Sequence, residues 1–278
     1  MILYKYLRPA RVDVLKHRRI RFTQPGDFND PFEFRPKIRE LASDAKLQED
    51  VEEHFEQLID DQLAKYGAIT QVLPQADLKR LLAKQKPLLP ALFRLLEPAA
   101  IQKLSPLIDG FFNQNVGVLC LSEVRDSILM WGHYTHNHRG FVVGFDSDHP
   151  FFCSRRSSED EFGFLRRVDY SSRRPEVMLT DTESPVWFST KSEQWSYEKE
   201  WRVVRLLSEA QHRIDGSPFP ICLFEFAPDA VLEIIVGLRS TPSLTTEIRS
   251  LAASLPRVRL FIASEDPDNY GLLINSIS

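Results

Sequence analysis

The sequence predicts an α+β fold: a mostly antiparallel sheet with helices packed against it and one helical excursion. Two patterns carry that expectation. Segments rich in β-branched and aromatic residues crowd the chain after Asn115, whereas apolar residues at three- and four-residue spacing dominate the stretch 37–115. No internal repeat or low-complexity run interrupts either pattern. At 278 residues the chain is near the upper size that one core organises. That length leaves one domain with a large insertion and two domains equally open; the expectation adopted is a single domain over 1–278, with 37–115 as a helical insertion or subdomain.

Taken in order, Ile2 to Tyr6 reads as a strand, and Pro9 to His17 as a helix with Pro9 suited to its first turn. Ile20 to Thr23 is a second strand, and Gln24 to Asp30 a loop turning at Pro25 and Gly26. Leu47, Val51, Phe55, Leu58, Ile59 and Leu63 mark an amphipathic helix. A second helical set follows in DLKRLLAKQKPLLPALFRLL, with breaks expected near Pro87 and Pro90, and a third runs through IQKLSPLIDGFF. Strands are then expected at Gly117–Leu121, Gly140–Asp146, Gly163–Tyr170, Glu200–Leu207, Ile221–Phe226, Val231–Val236 and Arg257–Ile262. Short helices fit Asp126–Tyr134, capped by Asp126, and Ser243–Leu255.

Hydrophobic residues at 43% and charged residues at 27% are ordinary for a globular chain and exclude disordered or fibrous classes. A net charge of -4 gives no general attraction to nucleic acid or anionic membrane, though it leaves room for a local basic patch. The longest apolar runs, such as Ala230–Leu238, fall short of the roughly 20 residues of a membrane helix. Cys120, Cys153 and Cys222 are odd in number and widely spaced, and two lie in strand-like runs, so reduced thiols are expected. With no secretory pattern in MILYKYLRPARV, a cytoplasmic location and no membrane partner follow as expectations.

Three segments could carry chemistry. FNDPFE brings Asn29, Asp30 and Glu33 together around Pro31, flanked by Phe28 and Phe32. It reads either as an Asx-type turn with aromatic anchors or as a loop turning polar groups toward a ligand. In LSEVRDSILMWGHYTHNHRG, Trp131 and Tyr134 are three apart on a helix and share a face, which is either core or a platform for a flat ring. His133, His136 and His138 have metal-like spacing without Cys or carboxylate partners, so no metal site is assigned. In WSYEKEWRVV, Glu198 and Glu200 enter a strand two residues apart and are expected on one face. Such a pair is either solvated or, among Trp195, Tyr197 and Trp201, lines a half-buried cleft. One pKa then rises unless a cation or a hydroxyl-bearing ligand intervenes.

Together, LYKY, RFTQPGDFNDPFE, LMWGHYTHNHRGFVVGFD and K-x(3)-W-x-Y-E-x-E-W-R resemble a bacterial domain-of-unknown-function family, number 2971. The order of elements, ending with E-x-E at the opening of a strand, is more loosely similar to the ADP-ribosyltransferases. Those enzymes place Arg or His on a first strand, Ser or Tyr on a middle strand and Glu at the start of a late one. Here Lys5 stands at the first position, Ser122 on the middle strand, and Glu198-Lys199-Glu200 at the last.

The resemblance implies NAD as substrate and catalytic roles for Glu200, which would face the oxocarbenium-like state, and Glu198, which would serve the acceptor. Lys5, Tyr6, Asn29, Asp30, Ser122, Trp131 and Tyr134 are the implied NAD contacts. It also implies a macromolecular acceptor, protein or nucleic acid, and, for a toxin or anti-phage effector, a restraining partner protein. Two other readings stand beside it: a divalent-metal phosphodiesterase using Asp30, Glu33, Glu198 and Glu200, and a non-enzymatic sensing or interaction module.

Overall fold

The computed structural model describes residues 1–65, 74–158, 160–181 and 184–277; residues 66–73 of the expected helical stretch lie outside that set. In chain order the elements are β1 (Ile2–Leu7), α1 (Asp13–His17), β2 (Arg19–Phe22), β3 (Lys37–Glu40), α2 (Asp44–Lys65), α3 (Gln75–Ala83) and α4 (Leu89–Asn115). Next come β4 (Val116–Ser122), α5 (Ile128–Tyr134), β5 (Phe141–Asp146), β6 (Arg166–Arg167), β7 (Asp169–Ser171), β8 (Glu176–Met178), α6 (Val186–Ser189), β9 (Thr190–Ser192) and β10 (Glu200–Leu206). The chain closes with β11 (His212–Ile214), β12 (Ile221–Glu225), β13 (Val231–Val236), α7 (Pro242–Ala252), β14 (Arg259–Glu265) and β15 (Leu272–Ser276). No helix among the described residues is long and apolar enough to cross a membrane.

The main sheet runs β15-β14-β13-β5-β1-β4-β10-β6, and only its β13–β14 pair is parallel. A smaller sheet, β11-β12-β2, joins β4 through a bridge between Thr23 and Val118. The strand period of two decides the core. On β1, Leu3 and Leu7 enter the larger cluster with Phe22, Leu119, Phe141 and the α7 residues Leu244 and Ile248. Tyr4 and Tyr6 face the opposite way, into a second cluster with Met130, Trp131, Val142 and Ile235. Tight passage matters at Gly140, where a side-chain carbon would collide with the Leu7 carbonyl.

The chain divides into two compact units. One comprises Met1–Pro36, Asp109–Pro175 and Glu183–Ser278; the other comprises Lys37–Ile108 and Glu176–Thr182. The second is mainly helical, and Val51, Phe55, Ile59 and Leu63 bury one stripe of α2. It also holds a parallel β3–β8 pair that the periodicity missed, because the pair is short and β8 arrives from far along the chain.

Three local expectations need correction. The chain does not break at Pro90, because that residue falls in the first turn of α4, where its missing N–H has no intrahelical partner to lose. The helix also continues past Pro98 and Pro106, so the second and third helical sets share one helix. Ser127, not Asp126, caps α5 by accepting from the Met130 N–H.

Candidate functional site

The site begins with a gap between strands. β1 pairs with β5 over six residues from Ile2 to Leu7, but with β4 only where Tyr4 faces Ser122. Lower on the same edge of β4, Val118 pairs with Thr23 at the end of β2. Between these two points the Cys120 carbonyl has no strand opposite it. Lys5 supplies the missing donor, its Nζ lying 2.9 Å from that carbonyl oxygen. The gap opens into a pocket of about 240 Å³ lined by Tyr4, Lys5, Tyr6, Thr23, Asp27, Phe28, Asn29, Val118, Cys120, Leu121, Ser122, Met130, Tyr134, Lys191, Glu198 and Glu200. That volume lies somewhat below the usual range of ligand pockets, so it suits one part of a larger ligand.

One wall of the pocket is braced by five buried charges. Lys191 Nζ lies 2.6 Å from Glu198, 2.9 Å from Glu200 and 3.1 Å from Glu33 Oε1. The last is an ion-pair distance without a directed hydrogen bond. Arg202 donates from Nε to Glu200 Oε1 at 2.6 Å, from Nη2 to Glu33 Oε2 at 2.6 Å, and from Nη1 to the Phe188 carbonyl at 3.0 Å. Phe34 and Phe28 lie beside its guanidinium, with ring centroids 4.9 and 5.9 Å away. Three carboxyl groups thus share two cations.

Burial alone would raise the pKa of Glu200, but Arg202 and Lys191 outweigh it and hold the group at about 2. Burial likewise disfavours the charged form of Lys191, and Glu200, Glu33 and Glu198 reverse that and raise its pKa. Glu33 goes the other way from Glu200: burial wins over Arg202 and Lys191, and its pKa is raised. At Lys5 burial dominates again, lowering the pKa of an amine bonded to a carbonyl.

Glu198 and Glu200 do not share a pleated face. Lys199 is left-handed, with φ of 44°, and ends a 3₁₀ turn at Glu198, so β10 starts only at Glu200. The two carboxylates meet through Lys191 instead. Tyr134 OH donates to Glu198 Oε1 at 2.6 Å, and burial followed by Glu198 raises the phenol's pKa. Asn29 Nδ2 stands 3.5 Å from the same hydroxyl. Ser122 Oγ donates to the Glu198 carbonyl at 2.5 Å and accepts from Val124 N at 2.9 Å, so this hydroxyl fixes the backbone. Tyr6 OH donates to the Val124 carbonyl at 2.8 Å and holds the same loop.

Two expected contacts lie elsewhere. Trp131 is fully buried, donates from Nε1 to the Arg125 carbonyl and stacks on His138, so its ring belongs to the core. Asp30 accepts from Phe32 N in an Asx turn and does not line the pocket. Phe32 is no anchor, being 61% exposed; left-handed Phe34, with φ of 57°, takes that role against Phe28 and Phe188.

The sequence reading missed Lys191 and Arg202 as site residues. Arg202 had a signal, since it follows Glu200 by two on a strand and must share its face. Lys191 had none beyond its place in the K-x(3)-W motif. Among the described residues no cluster of His, Cys, Asp and Glu is arranged to hold a metal ion. The cationic ends of Lys191 and Arg202 stand between Glu33, Glu198 and Glu200, where a divalent ion would have to sit.

The fold and site thus define an α+β protein with an ion-braced pocket in a split, mostly antiparallel sheet. The family model described as "Protein of unknown function (DUF2971)" matches residues 130–203. That span runs from Met130 in α5 to Val203 in β10 and contains Tyr134, Lys191, Glu198, Glu200 and Arg202; LYKY and FNDPFE lie outside it. No curated protein and no solved structure matches the chain.

Proposed function

We propose that this pocket binds the nicotinamide-ribose end of NAD and transfers ADP-ribose to a macromolecular acceptor. The observation that carries the reading is the lining of one pocket by Lys5 of the first strand, Ser122 of a middle strand and Glu198 and Glu200 at the start of a late one, with Tyr134 beside them; opposite Ser122 the first strand places Tyr4 and not Lys5. Carboxylates fixed in the pocket wall favour a cationic flat ring and, after cleavage, an oxocarbenium-like sugar.

The C1′–N bond breaks with its electron pair going to the nicotinamide nitrogen, which neutralises the ring. The acceptor's nucleophile then bonds to C1′ and its proton passes to Glu198. Glu200, ionised throughout the physiological range, faces the developing positive charge. Its Oε1 carries one donor, so a lone-pair direction remains for a ribose hydroxyl. Tyr134 presents its ring to the nicotinamide and its hydroxyl holds Glu198 in place.

The test measures nicotinamide release and transfer of labelled ADP-ribose by wild type, Glu198→Gln and Glu200→Gln. Glu200→Gln should lose both activities, and Glu198→Gln should lose transfer more than hydrolysis. No NAD turnover by wild type with lysate protein or nucleic acid as acceptor would overturn the proposal.

A further inference from the structure

The FNDPFE loop sends Asn29 into the pocket and, three residues later, turns Phe32 outward. The Phe32 ring is 61% exposed, with the Arg174 guanidinium 6.0 Å from its centroid. Arg174 is not tied down by an acid: Nε and Nη2 both donate to the neutral Arg35 carbonyl. Among the described residues no carboxylate forms an ion pair with Arg173 or Arg174. Both side chains are exposed. A preordered guanidinium that keeps its charge, beside a solvent-facing aromatic ring, is complementary to a base joined to a phosphate.

The same segment is strapped to the strand that carries Glu200. Val168 N donates to the Glu200 carbonyl at 2.9 Å and Glu200 N donates to Tyr170 OH at 2.8 Å. Arg173 and Arg174 thus follow directly on a short run fixed at the pocket's late strand.

We propose that the Phe32–Arg174 platform binds single-stranded nucleic acid, with one base stacked on Phe32 and neighbouring phosphates on Arg173 and Arg174. That this strand is the acceptor rests on the transferase reading above; that it binds does not. An acidic peptide would satisfy the arginines but leaves the flat ring without a partner, which is why a base is favoured.

Binding is measured without NAD, by fluorescence anisotropy of short labelled oligothymidylate and oligouridylate over a salt series. Wild type should bind both at low salt. Phe32→Ala should weaken binding about tenfold or more, as loss of one base stack does. The Arg173→Ala/Arg174→Ala pair should flatten the log–log salt slope by roughly 0.7 per lost phosphate contact. These side chains are exposed, and an unchanged Tm confirms folding. Failure of wild type to bind, equal affinity in Phe32→Ala, or equal competition by polyglutamate would overturn the binding site while leaving NAD cleavage to its own assay. Binding without label on the oligonucleotide, in a preparation that releases nicotinamide, would overturn its role as acceptor.

Discussion

Arg202 and Arg94 are both arginines held among carboxylates, one in each compact unit. Arg202 bonds Glu200 and Glu33 with its side chain 1% exposed and theirs 4% and 1%. Arg94 bonds Glu97 at 2.9 Å and Asp44 at 2.5 Å, and donates to the Ala42 carbonyl at 3.0 Å. Its side chain is 28% exposed, and that of Asp44 is 90% exposed. The hydrogen-bond chemistry is alike, but Arg94 and Asp44 reach the surface, with Glu97 11% exposed beside them, whereas every member of the Arg202 cluster is closed off from it. A solvated carboxylate that loses its arginine returns to water. A buried one is left as an uncompensated charge, which makes the inner cluster an obligate unit and the outer one a set of replaceable contacts.

Breaking the inner cluster should give the largest effect. Arg202→Met strands Glu33 and Glu200, and removing one partner of a buried pair costs about 3–5 kcal/mol. Chemical denaturation should show that loss as a shift of midpoint with little change in slope, and a shift under about 1 kcal/mol would place the cluster in contact with water. Glu200→Gln should be next. It lowers NAD turnover by about 10²–10³ under the proposed mechanism. It also turns an NH₂ toward cations, so its Tm should fall, though less than in Arg202→Met.

Acid sharpens the comparison. Glu200 titrates at about 2 in the folded protein against its ordinary 4.5, so it contributes stability that is complete above 4.5 and lost as pH falls through about 2. Glu33, with its pKa raised, works in the opposite sense and favours the fold at low pH. Wild type should therefore lose Tm on acidification below 4.5 more steeply than Glu200→Gln. Identical Tm–pH curves would show that Glu200 is not the group responsible. Arg94→Ala should give the smallest effect, a slight Tm change that disappears at high salt, where exposed pairs are screened and Arg202 is not. A large, salt-independent drop in Arg94→Ala would erase the contrast between the two clusters.

The α+β class, the mainly helical character of much of 37–115 and most strands of the main sheet were legible in the sequence. Each is written in the apolar spacing of a few neighbouring residues, as in Leu3, Tyr4, Tyr6 and Leu7 of β1. β8 and β9, three residues each, are too short for that spacing to register. β15 was missed because its side chains are mostly exposed and carry little pattern.

Within the site, the sequence determined the kinds of group available: aromatic rings, an amide and three glutamates in FNDPFE, LMWGHY and WSYEKEWR. It did not determine which of them face a ligand. Trp131 and Tyr134 lie on one short helix, yet one is sealed in the core and the other lines the pocket. That outcome depends on how α5 lies against β1, which no helical period encodes.

The charges depended on tertiary structure most of all. Glu33 meets Arg202 from 169 positions away, and left-handed Lys199 replaces a shared strand face with a shared lysine. Local pattern reports whether a residue prefers water. Whether a buried charge finds its partner is fixed only when distant strands take their register and water leaves the space between them.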